Sequence, residues 1–128
     1  WLNPIYSAGH WVPEMVDIAG GIDGLAEVGQ VSKKITWNMI QKYQPEIIIL
    51  MPCGFTVERT MKELDLLYKL PGWNELPAIK DGRLFAVNGH AYFNRSGPRL
   101  VDGLEILGQI IHPEIFSWNT TPDAARRL

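Results

Sequence analysis

Three short stretches, residues 3–11, 52–55 and 88–97, hold side chains that join flat apolar faces to hydrogen-bonding tips: Tyr6, His10, Trp11, Phe55, His90, Tyr92, Phe93, Asn94 and Arg95. Aromatic rings bury area while amide and guanidinium groups meet polar atoms, so such a set suits capture of a large, flat, partly polar molecule. Arg95 is equipped to donate several hydrogen bonds to it. Arg99, beyond Pro98, is expected instead to pack its stem and pair with a nearby acid. The ligand-binding set expected from the sequence is therefore Tyr6, His10, Trp11, Phe55, Tyr92, Phe93 and Arg95.

Bond-making chemistry finds less support. His10 and Glu14 are spaced to put two metal ligands on one helix face only if His10 is already helical, which Pro13 opposes. No dense His, Cys or carboxylate cluster suggests a metal site built from side chains, although a histidine could reach the metal inside a bound chelate. Cys53, the one cysteine, lies where a nucleophile would gain from a helix dipole. It has no Gly-x-Ser-x-Gly or Cys-x-x-Cys context and is expected to be a packed thiol at a cleft wall. Gly20-Gly21-Ile22-Asp23-Gly24 lacks the glycine spacing and lysine of a phosphate loop and reads as a turn. No carboxylate pair stands out for acid/base work, so the chain is expected to bind and not to catalyse, with no cofactor required.

The elements that must position these residues follow from the pattern. A first helix begins near Trp11, tolerates Pro13 in its opening turn and ends at Gly20-Gly21. A loop from Ile22 to about Lys34 leads to Thr36, a plausible N-cap for a helix through Tyr43, which Pro45 stops. The unbroken apolar run Ile47–Met51 suits a strand covered on both faces. Thr56 caps a helix with Val57, Met61, Leu64 and Tyr68 at helical spacing, ending before Pro71-Gly72. Asp81-Gly82 turns the chain into a second strand, Arg83–Val87. Pro98 opens a helix through Ile111, with His112 complementing its carboxyl-end dipole.

Trp1-Leu2-Asn3-Pro4 reads as the end of a strand begun upstream, so the amino terminus is expected to be cut; residues 117–128 are expected to form a mobile tail after a domain of residues 1–116. The order predicts an α/β fold: an open, mainly parallel sheet flanked by helices on both faces. Such sheets bind ligands at the carboxyl ends of their strands, which selects the three stretches named above.

Composition narrows the partners. In 128 residues with a net charge of -2, lysines and arginines are scattered apart from Arg126-Arg127, so nucleic acid is not expected. A hydrophobic share of 46% with 20% charged residues fits a folded domain, and no apolar run approaches bilayer length.

Pro71-Gly72-Trp73-Asn74-Glu75-Leu76-Pro77-Ala78, then Gly82–Val87, then Tyr92-Phe93-Asn94-Arg95 through Gly97-Pro98-Arg99 are similar to the carboxy-terminal lobe of periplasmic-binding-protein-like receptors of ABC importers for iron chelates and cobalamin. Asn3–Gly9 and Gln44–Ile48 share the likeness, which covers nearly all of the chain except its tail. The resemblance implies a Rossmann-like lobe, a missing amino-terminal lobe that closes the cleft, a possible ABC permease partner, and a periplasmic or cell-surface location, with a cytoplasmic one as alternative. Cobalamin receptors resemble the chain best, which implies that Tyr6, Tyr92 and Arg95 contact the corrinoid with Phe93 beneath them. Haem, a ferric siderophore, a cytosolic cobalamin-handling protein or a chelatase-like enzyme using His10 or His90 are the alternatives. Such receptors usually carry a permease-binding glutamate where Asn38 stands, a departure that weakens docking by a charge pair and favours a cobalamin-handling protein that serves no permease; the cobalamin receptors also tend to carry a tryptophan near Val31-Ser32-Lys33, which this chain lacks.

Overall fold

The computed structural model of the chain describes residues 2–95 and 97–128. Its elements run α1 (Val12–Ile18), α2 (Trp37–Tyr43), β1 (Ile48–Leu50), α3 (Val57–Lys62), α4 (Asp65–Tyr68), a 3-10 turn (Trp73–Glu75), α5 (Pro77–Lys80), β2 (Leu84–Val87), α6 (Gly89–Tyr92), α7 (Arg99–Ile111) and β3 (Ala125–Arg127). The sheet has the order β1-β2-β3. β1 and β2 are parallel, Leu50 opposite Ala86, whereas β3 runs antiparallel to β2. The fold is α/β with a small open sheet between helices, and its sheet is mixed where a mainly parallel one was expected.

Strand alternation divides the core in two. Phe85 and Val87, with Ile49 beside them, face Val12 and Met15 of α1 and Ile106, Leu107 and Ile110 of α7. Leu84, with Ile48 and Leu50, faces the opposite way, against Leu64, Leu67, Trp73 and Leu76. Both faces of the sheet are thus covered, which is why the strands carry apolar residues without a polar alternation. Burying a side chain such as Leu107 or Ile110 stabilises the fold by about 1.5–3 kcal/mol each.

The expected caps are formed. Thr36 accepts from the Met39 N–H at 3.2 Å and Thr56 from the Arg59 N–H at 3.2 Å, and Gly20 closes α1 at φ 85°. The helix expected from Thr56 to Tyr68 is broken into α3 and α4 around Glu63-Leu64. His112 is the C-cap residue of α7. The carboxyl-end carbonyls of Ile110 and Ile111 accept from the Arg83 guanidinium at 3.1 and 3.3 Å.

Of the two expectations about the ends, the first falls partly on Trp1, which lies outside the described residues; Leu2 bridges Ile5 in a local turn. The segment after Phe116, expected to be mobile, is tied into the fold. The buried amide of Gln109 donates to Asn119 Oδ1 (2.9 Å) and accepts from Asn119 N (3.1 Å) and Thr120 Oγ1 (2.8 Å), and the chain then supplies β3.

Candidate functional site

Because β1 and β2 are parallel, their carboxyl ends open on the same edge. From β1 the chain turns through Pro52–Phe55 into α3; from β2 it passes through Asn88, whose side chain accepts from the Ala91 N–H at 3.0 Å and so starts α6. The two connections touch. The His90 N–H reaches the Phe55 carbonyl at 3.5 Å, and a Cβ on Gly89 would stand 2.9 Å from the Pro52 carbonyl oxygen and 3.0 Å from that of Met51. Glycine is needed there because backbone meets backbone. The first stretch joins through Trp11, whose indole N–H donates to the Phe93 carbonyl at 2.8 Å. Trp11 and the stretches 52–55 and 88–93 are thereby tied together along one rim, with residues 3–10 leading into Trp11.

Within that rim the expected residues differ in what they present. Tyr6 is 42% exposed and lies in a bridge to Lys34. His10 is exposed, with φ 57°, and its N–H donates to the Gln30 carbonyl. It precedes α1, so the helix face that would pair it with Glu14 does not exist. Trp11 is half-buried, its ring 5.7 Å from that of His10. Phe93 is 2% exposed and belongs to the core beneath the rim, so it supports the rim and offers no contact surface. Gly103 of α7 permits this: a Cβ there would lie 2.9 Å from the Tyr92 carbonyl oxygen and 3.2 Å from the Phe93 ring.

The guanidinium groups are arranged in a way the sequence did not indicate. Arg59 lies 5.0 Å from the centre of the half-buried Phe55 ring and forms an ion pair with Glu63 at 2.7 Å. Arg99 lies 6.0 Å from the centre of the Tyr92 ring. Among the described residues no acid is within ion-pairing distance of Arg99, contrary to the pairing expected. Arg95 is exposed. Among the described residues the Asn94 side-chain nitrogen is buried with no acceptor.

Cys53 is an exposed thiol on the rim, not a packed one. Among the described residues no group of three or more His, Cys, Asp or Glu could hold a metal ion, and no helix is long and apolar enough to cross a membrane.

Two concavities, of about 460 and about 300 Å³, open at the other, amino end of β2. Arg83, Phe85, Gln109, Phe116 and Trp118 line the larger. Three of its polar side chains are already engaged: Arg83 with the end of α7, Gln109 with Asn119 and Thr120, and Arg127 with the Gly82 carbonyl at 2.6 Å. The rim is the better candidate, since it lies at the strand ends where α/β folds bind ligands.

Comparison with known proteins identifies the family. Residues 3–90 match the family model described as periplasmic binding protein, and the chain belongs to that family. A stretch of 48 residues is 42% identical to an uncharacterized ABC transporter substrate-binding lipoprotein, YvrC, of Bacillus subtilis; it covers 38% of this chain and 15% of that relative. Among solved structures, an ABC-type Fe3+-hydroxamate transport system protein from Saccharomonospora viridis superposes with a TM-score of 0.67 at 19% identity, over 83% of this chain and 36% of its own. A possible iron-binding (periplasmic solute-binding) protein from Staphylococcus epidermidis gives 0.65 at 22% identity, over 85% and 41%. The chain thus spans well under half the length of the relatives it matches.

Proposed function

We propose that this chain forms one wall of the ligand cleft of an extracytoplasmic substrate-binding protein, which captures a metal chelate and hands it to an ABC permease without chemical change. The observation that carries the proposal is the convergence of the three rim stretches at the strand ends through the Trp11–Phe93 and Phe55–His90 hydrogen bonds. Tyr6, Tyr92 and Phe55 supply ring surface, His10 and Arg95 supply donors, and Trp11 and Phe93 hold the rim in place. An amino-terminal lobe would provide the facing wall.

Ferric siderophores are the first ligand class, supported by the names of the structural relatives. Cobalamin is the second, supported by Tyr6, Tyr92 and Arg95 in the pattern noted from the sequence. Burial at roughly 25 cal/mol per Å² drives capture, offset by lost translational and side-chain freedom. The test is titration of the intact protein with a ferric trihydroxamate, a ferric catecholate, haem and cobalamin, read by tryptophan fluorescence. Saturable binding of at least one is expected, and binding of none refutes the reading. A turnover abolished by His10→Ala or His90→Ala would replace it with the enzyme alternative.

A further inference from the structure

The rim connection that follows β2 is held by a segment distant from it in sequence. Past Val87 the pairing with β3 runs on by one bond, the Asn88 N–H donating to the Ala124 carbonyl at 2.8 Å. The Asn88 side chain faces two ways. Its oxygen caps α6 by accepting from the Ala91 N–H at 3.0 Å, and its nitrogen donates to the Asp123 carbonyl at 3.4 Å. One residue therefore joins the helix that carries His90 and Tyr92 to residues 123–124.

That segment has an anchor of its own. The Ala124 and Ala125 N–H groups both donate to the Thr121 carbonyl, at 3.0 and 3.1 Å, closing a turn whose two alanines are buried in the core. Just before the turn, Asn119 and Thr120 are bound to the Gln109 amide in the last turn of α7. A continuous path thus runs from Gln109, on the concavity at the amino end of β2, to the rim at its carboxyl end. α6 depends on that path, since a helix of four residues makes too few hydrogen bonds of its own to fix its direction.

We propose, resting on the chelate-binding reading above, that Asn88 is a positioning residue: through it the segment 119–125 sets the direction of α6, and with it the face that Tyr92 and His90 offer to the ligand. Neither Gln109 nor the segment touches the ligand in this scheme. Their effect on affinity comes from order already present in the free protein, because a loosened rim must be fixed at the moment of binding and that cost is subtracted from the affinity.

The experiment compares the intact wild type with Asn88→Asp, Gln109→Ala and the double variant, at a temperature where circular dichroism shows each to be folded. Where Gln109→Ala does not fold, Gln109→Glu takes its place, since it keeps the acceptor for Asn119 and Thr120 and loses only the donor. Aspartate caps a helix as well as asparagine does but has no N–H for the Asp123 carbonyl. Without ligand, peptides covering residues 88–95 are expected to exchange their amide hydrogens several-fold faster in both single variants. Peptides covering α2, whose indole and phenol groups bond elsewhere, to Pro71 and Ile22, are expected to be unchanged. Affinity for the chelates titrated above, a ferric trihydroxamate first, is expected to fall by up to about tenfold in each single variant, the scale of one hydrogen bond. The double variant is expected to lose little more than the weaker-binding single one, because both changes act on one path. Unchanged exchange of 88–95, or wild-type affinity in the single variants, overturns the proposal and leaves the receptor reading standing. Losses that add in full in the double variant also overturn it, because they make the two changes independent. Binding of none of the four chelates by the wild type overturns the receptor reading and with it the role given to Asn88.

Discussion

Gly89→Ala tests the geometry of the rim through stability alone. Gly89 opens α6 with ordinary helical backbone, a position where alanine normally gains about 1 kcal/mol over glycine. Here the added methyl would stand 2.9 Å from the Pro52 carbonyl oxygen, 3.0 Å from that of Met51 and 3.2 Å from its carbonyl carbon. Ordinary contact begins near 3.4 Å, so the β1–α3 and β2–α6 connections must part by several tenths of an ångström. Every opposing atom is backbone, and no side chain can swing aside. Overpacking of this kind costs about 1–3 kcal/mol, which exceeds the propensity gain or nearly cancels it at its lower limit. The expected net loss is up to about 2 kcal/mol, or a fall in Tm of up to about 7 °C for a chain of this size. Urea denaturation with the m-value compared between variants measures it. A Gly89→Ala protein more stable than the wild type would refute the close approach, and with it the argument that the two connections share one edge.

Three further outcomes follow from particular contacts. Gln109→Ala removes the amide that holds Asn119 and Thr120 and is expected to cost about 1–3 kcal/mol and to speed proteolytic cleavage between residues 113 and 123; unchanged cleavage would mean this segment is held without it. Thr56→Ala deletes the α3 cap and is expected to lower stability by about 1 kcal/mol in denaturant titrations, with a loss below a few tenths contradicting the cap. Glu114 is held below the usual carboxylate range, first by a backbone hydrogen bond and then by His112. A depressed folded-state value makes its contribution present above the ordinary glutamate range and lost as pH falls through the folded value. The stability difference between wild type and Glu114→Gln should therefore be small, favour the wild type near neutrality and vanish in acid; a difference that persists in acid would contradict that linkage.

What the sequence disclosed was local and apolar. Thr36 and Thr56 announced their helices because a cap is a short-range hydrogen bond, and Ile47–Met51 announced β1 because a strand covered on both faces needs apolar residues throughout. β3 was hidden because Ala125–Arg127 has no β-branched or aromatic residue, and its strand state comes from the backbone ladder with β2. α6 was hidden because four residues beginning with glycine carry almost no helical signal, and their structure depends on the Asn88 cap. At the site, the strand-end rule found the rim, but composition cannot tell a rim aromatic from a core one. Phe93 and Tyr92 are neighbours in sequence, yet one is buried beneath the surface the other helps to form. The position of Arg99 over Tyr92 was likewise invisible, since it depends on how α7 packs against α6 at Gly103.

Hydrogen exchange of the intact protein with and without a saturating ferric chelate tests the central claim most directly. Ligand is expected to slow exchange in peptides covering residues 6–11, 53–55 and 90–95 together, and to leave those covering 109–118, beside the larger concavity, unchanged. Protection confined to 109–118, with the three rim stretches exchanging as before, would contradict the account.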